Sequence, residues 1–130
     1  MAGTVTNRSL WQAFADAGDG VARAFVEQPN FRIQLLLAAI AIAGAALFRF
    51  QTTQWVELAL VIGMVLAAEL FNTCLEHVVD LVEPQAHPLA RAAKHAGAAA
   101  VLVASVSAIV VGALLFGPAI AAWLAPASSH

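Results

Sequence analysis

Three long apolar runs divide the chain, and polar or turn-forming residues bound each of them. The first, about residues 31–50, has no charge between Arg32 and Arg49; a helix of about 20 apolar residues crosses a bilayer. Gln51, Thr52 and Thr53 then read as a short turn. The second run, about 54–82, is apolar at first and later carries Glu69, Asn72, Thr73, Glu76 and Asp80. Glu83-Pro84-Gln85-Ala86-His87-Pro88 breaks it. Pro88 suits the first turn of a following helix, where a missing N–H costs nothing. That third run, about 88–124, passes Arg91, Lys94 and His95 before a charge-free stretch from Ala96, with Gly117-Pro118 placed to kink or fray its end. Ahead of all three, residues 10–28 alternate with helical period. Leu10, Trp11, Phe14, Ala17, Val21, Ala24 and Phe25 fall on one side, and Gln12, Asp16, Asp19, Arg23 and Glu27 on the other. Such a helix suits a membrane surface. The pattern predicts an all-α membrane protein forming one domain: a surface helix and three transmembrane helices in a bundle.

Composition agrees. Hydrophobic residues make up 62% and charged residues 11%, with mean hydropathy +0.83, whereas soluble domains are about a quarter charged. With so little polar surface, the surrounding solvent is membrane lipid. A net charge of −2 excludes a nucleic-acid partner bound by bulk charge. The lone Cys74 excludes an internal disulfide and a multi-thiolate metal site. The first 30 residues lack the continuous apolar stretch of a cleavable signal. Arg8, Arg23, Arg32, Arg91 and Lys94 flank one side of the spans and Arg49 alone the other. The positive-inside rule puts the N-terminus and the 83–95 loop in the cytoplasm and the C-terminus outside. Phe48, Phe50, Trp55, Phe116 and Trp123 gather at the opposite interface, as an aromatic belt does.

The chemistry lies on the second span. At about 100° per residue, Glu69, Asn72, Thr73, Glu76 and Asp80 share one face. A charged side chain in hydrocarbon costs about 2.5–3.5 kcal/mol even on the lenient scale, so several on one stripe need partners, metal or water. A packing network would be made more cheaply from Asn or Ser. Carboxylates one or two turns apart can hold a hard cation, and Mg²⁺ usually arrives with phosphates and waters. Lys94 is a point charge suited to phosphate. Glu69 is the deepest acid, and a desolvated carboxylate is a stronger base; it is the natural base for a hydroxyl within the membrane. No GxxxxGK[ST] loop occurs, so phosphoryl transfer would rely on metal and side chains. A zinc site from His77, His87 and His95 is a weaker alternative, and a small proton-coupled carrier using Glu69 and Glu76 is another.

The run from Ala68 to Leu81, with the pattern ExxNTxxExxxDL, and the following HPLAxxAK at His87–Lys94 resemble the prokaryotic diacylglycerol kinase / undecaprenol kinase family. The resemblance runs from about Leu10 to Leu115 and includes Asn30-Phe31-Arg32. It implies a homotrimer in the bacterial inner membrane with active sites shared between subunits. It implies ATP- and Mg²⁺-dependent phosphorylation of a lipid alcohol, diacylglycerol or undecaprenol, at the cytoplasmic interface. Matched by position, Glu69 would be the general base and Asn72 would orient base and substrate. Glu76 would hold metal and nucleotide, Asp80 and Lys94 would face the nucleotide, and Glu83 and His87 lie in the loop that approaches it. The chain departs from the family twice. His95 replaces the aspartate that follows the lysine and inherits its place beside the nucleotide. Gln28 occupies the slot of a metal-binding glutamate, with Glu27 beside it as the candidate replacement. These departures leave a catalytically silent, regulatory membrane homologue as the alternative function.

Overall fold

The computed structural model describes residues 9–125; Arg8, counted above among the basic residues, lies outside them. Four helices follow one another: α1 (Leu10–Glu27), α2 (Pro29–Leu47), α3 (Thr52–Val82) and α4 (Pro88–Leu124), with no strand among the described residues. The all-α architecture is as the pattern predicts, and α2, α3 and α4 are each long and apolar enough to cross a membrane.

Local chemistry sets the ends. Ser9 caps α1 reciprocally with Gln12: its hydroxyl accepts from the Gln12 N–H, and the Gln12 side chain accepts from the Ser9 N–H. Only Gln28 separates α1 from α2, because Pro29 opens α2 at its first position, where its fixed φ suits a helix. The helix of the first span thus covers 29–47, two residues earlier at its start and three at its end than the apolar run suggests. Its C-terminus closes when Arg49 adopts φ 53° and the Phe50 N–H reaches back to the Ala45 carbonyl at 3.0 Å, a left-handed cap filled by a non-glycine residue. The His87 side chain accepts from the Leu89 N–H at 3.2 Å and caps α4 just before Pro88. α4 continues through Pro118 to Leu124; a proline is tolerated in a spanning helix where neighbours re-satisfy the freed carbonyl.

At 1.5 Å per residue, α2 is about 29 Å long, α3 about 46 Å and α4 about 55 Å. Hydrocarbon is about 30 Å thick, so α3 and α4 overshoot it. They pack as a long antiparallel hairpin; α2 leans on α3, and α1 touches α2 and α3. The main buried cluster is at the far end from the α3–α4 loop: Ala45, Phe50, Leu58 and Leu115, ringed by Phe48, Trp55 and Phe116. Phe50 and Phe116 pack with ring centres 4.7 Å apart. Elsewhere the spans turn large apolar side chains outward, Leu36, Ile40, Leu60, Leu102 and Ile109 each being more than half exposed. In water that surface would drive aggregation; in lipid it is the matched solvent face. The protein is an integral membrane protein.

Candidate active site

Glu69 stands 17 positions after Thr52, roughly 26 Å along α3, near the edge of the hydrocarbon layer. It is 2% exposed. Its carboxylate is not left alone: the Gln34 side chain of α2 donates from Nε2 to Oε2 at 3.0 Å. Hydrogen bonding is what makes a buried carboxylate tolerable. One turn on, the Thr73 hydroxyl donates to the Glu69 backbone carbonyl at 2.9 Å, so it folds back on its own helix and serves packing instead of chemistry.

Asn72 donates from Nδ2 to Glu76 Oε1 at 3.1 Å, which fixes both side chains along α3. The space Asn72 fills comes from α4. A Cβ at Gly97 would collide with Asn72 Oδ1 and approach Leu75 Cδ2 to 2.8 Å, so the missing side chain lets α4 pass directly over Asn72. Asn72 Oδ1 and Gln34 Oε1 are both buried without a hydrogen-bond partner. Gln34 Oε1 belongs to the amide that holds Glu69, and Asn72 Oδ1 faces Gly97 of α4.

Beyond the membrane edge, Lys94 donates to Asp80 Oδ1 across the α3–α4 hairpin at 2.5 Å. There the loop and both helix ends border an open groove of about 350 Å³ lined by Asp80, Glu83, His87, Arg91, Lys94 and His95. Five residues expected at the nucleotide (Asp80, Glu83, His87, Lys94 and His95) therefore share one groove. Arg91 joins them; its sequence position marks it only as one of the basic residues that set orientation. Glu76 is not part of this lining; it lies one turn below Asp80, on the Glu69 side.

Glu27 is elsewhere in the network. Its Oε2 faces His77 Nε2 at 3.3 Å and its Oε1 faces Arg23 Nε at 3.9 Å. Among the described residues no three His, Cys, Asp or Glu side chains gather into a metal cluster, and His77 stands with Glu27 instead of joining a zinc set with His87 and His95. The donor set does suit a hard cation that travels with phosphates. Mg²⁺ commonly takes only one or two protein carboxylates, and Glu76 accepts a single hydrogen bond, from Asn72, among the described residues.

A helical membrane protein with a hydrogen-bonded carboxylate at the hydrocarbon edge and a mixed-charge pocket above it fits an enzyme acting on a lipid. Comparison with known proteins gives the class its family. The model of the prokaryotic diacylglycerol kinase family matches residues 15–116, and the chain belongs to that family of lipid kinases. It is 35% identical to the undecaprenol kinase of Bacillus subtilis (strain 168) over 109 residues, 84% of this chain and 89% of that one. It is 40% identical to the diacylglycerol kinase of a Synechocystis strain over 111 residues, 85% of this chain and 63% of that longer protein. A diacylglycerol kinase of Helicobacter pylori shares 31% over 96 residues, 74% of this chain and 75% of that protein. As a kinase it carries out phosphoryl transfer, with a lipid as acceptor.

Proposed function

We propose that this single-domain chain moves the γ-phosphoryl group of ATP, bound with Mg²⁺, onto the hydroxyl of diacylglycerol or undecaprenol. The reaction takes place at the cytoplasmic face of the bacterial inner membrane in a homotrimer, with the N-terminus inside and the C-terminus outside. The observation that carries this reading is Glu69: a nearly fully buried carboxylate held by Gln34 within a spanning helix, roughly two to three turns from a pocket of mixed charge at the α3–α4 loop.

In this mechanism Glu69 accepts the proton of the lipid hydroxyl as its oxygen attacks the γ-phosphorus. Gln34 keeps one carboxylate oxygen occupied and leaves the other for the substrate. Asn72 fixes Glu76; Glu76, with Glu27 from α1 as a second carboxylate, would hold Mg²⁺, which when bound would offset the negative charge of the phosphates. Lys94 keeps one donor on Asp80 and turns the rest of its ammonium to the phosphates, while Glu83, His87 and His95 line the nucleotide. Because the sequence carries no GxxxxGK[ST] loop, side chains and metal would perform the positioning.

The test is direct. Purified protein in lipid bilayers is supplied with Mg²⁺ and γ-labelled ATP and with diacylglycerol or undecaprenol separately. Label appears in phosphatidate or undecaprenyl phosphate, and removal of Mg²⁺ abolishes it. Hydrolysis of ATP with no labelled lipid from either alcohol would refute the reading.

A further inference from the structure

The end of the molecule away from the α3–α4 loop carries two charges of opposite sign, Arg49 and Glu57. Every other Lys, Arg, Asp or Glu of the chain falls within residues 8–32 or 69–94. The two stand at one depth. Arg49 directly precedes Phe50, Glu57 directly precedes Leu58, and Phe50 and Leu58 belong to one buried cluster. Both charged residues are nonetheless exposed, and among the described residues neither side chain takes part in an ion pair or a hydrogen bond.

Water does not account for Glu57. At about 100° per residue it shares a face of α3 with Leu60 and Met64, which are also exposed on a helix long and apolar enough to cross the membrane. α4 stays apolar past the buried cluster, from Phe116 to Leu124, roughly 13 Å further. A carboxylate at this level stands beside hydrocarbon, where ionised groups are seldom left without a partner. Arg49 adds a second observation. It closes α2 at φ 53°, a conformation that glycine takes without cost and a residue with a Cβ does not. A large cation kept at such a position points to a use for its side chain. Its long stem lets the guanidinium reach along the bilayer edge to an acid at the same depth.

We propose that a second copy of this chain covers the outward face of α3 at this end, with the Arg49 guanidinium of one copy paired to the Glu57 carboxylate of the next. Each copy offers one charge of each sign, so a closed ring uses every Arg49 and every Glu57 once and leaves none facing lipid. An anionic lipid would satisfy Arg49 and repel Glu57; a surface with the same pair of charges satisfies both. The proposal rests on the homotrimer reading and adds the contact that fixes which face of α3 meets its neighbour.

The full-length protein in bilayers tests it in two ways. Assembly is followed by energy transfer between labelled subunits as added lipid dilutes them. Arg49→Glu and Glu57→Arg should each raise the subunit density for half-assembly about tenfold or more, because like charges then meet at every contact. Exchanging both in one chain should restore most of the assembly, as coupling within a direct pair requires. Single-cysteine chains, Arg49→Cys and Glu57→Cys on a Cys74→Ser background, are then mixed and treated with a short thiol-reactive crosslinker. The mixed 49–57 product should outweigh either like-with-like product. Single exchanges that assemble like the wild type, or a double exchange no better than the singles, would overturn the pair and leave the trimer reading standing. Loss of bound anionic lipid from Arg49→Glu at unchanged assembly would give Arg49 to a phosphate headgroup and overturn the pair as well. A wild-type chain that stays monomeric at every density would overturn the homotrimer reading and the pair together.

Discussion

Glu69 could not sit where it does without the side chains around it. It is nearly fully buried, and the partner that makes this tolerable, Gln34, is 35 positions away on another helix. The sequence marks Glu69, Asn72, Glu76 and Asp80 because four polar residues on one helical face inside an apolar run have no cheap structural excuse. It does not mark Gln34, a single uncharged residue two places after Arg32 in a span that otherwise reads as lipid-facing. Nor does it mark Gly97, one of eight glycines, whose meaning appears only when α4 is laid over Asn72. Gly97→Val should therefore force Asn72 aside and destabilise the fold by about 1–3 kcal/mol, the usual penalty of overpacking. Thermal unfolding in detergent reads the stability, and lipid phosphorylation should fall with it. Replacing Asn72 by Ala in the same chain removes the nearer obstacle and should recover much of the stability. If Gly97→Val melts like the wild type, the crossing of α3 and α4 is looser than described.

At the level of elements, the periodicities place all four helices, and the ends follow wherever a capping residue is visible. The first span is offset because two local signals outrank the apolar run: Pro29 starts α2 early, and the left-handed Arg49 stops it before the aromatic residues. What no periodicity contains is how α1 meets α3. Glu27 stands between Arg23 and His77, on exposed side chains, and exposed pairs of this kind are worth about 0–1 kcal/mol. That contact adds little stability, so the proposed metal role of Glu27 can be tested by substitution without unfolding α1. Glu27→Gln should raise the Mg²⁺ concentration for half-maximal lipid phosphorylation several-fold, and His77→Ala should leave it in place. Equal shifts in the two variants would show that Glu27 only tethers α1 and that Glu76 meets the metal without it.

The whole molecule is an antiparallel α3–α4 hairpin longer than the bilayer, with α2 leaning against its lower part and α1 against its upper part. In the proposed mechanism this shape sets the acceptor chemistry at Glu69 and the donor pocket beside the α3–α4 loop, joined along one face of α3. The outward apolar surfaces of the spans and the gap between α2 and α4 leave room for lipid and for neighbouring subunits, as the proposed trimer requires. The central claim is that Glu69 takes the proton from the lipid hydroxyl. Glu69→Gln keeps size and hydrogen bonding but cannot act as a base. Turnover of labelled lipid by the variant in bilayers, with ATP binding measured on the same sample, tests the claim most directly. Glu69→Gln should lose roughly 10²–10⁴ in kcat, the usual contribution of a general base, with ATP affinity unchanged; a Glu69→Gln protein that phosphorylates lipid at the wild-type rate would show that Glu69 is not the base.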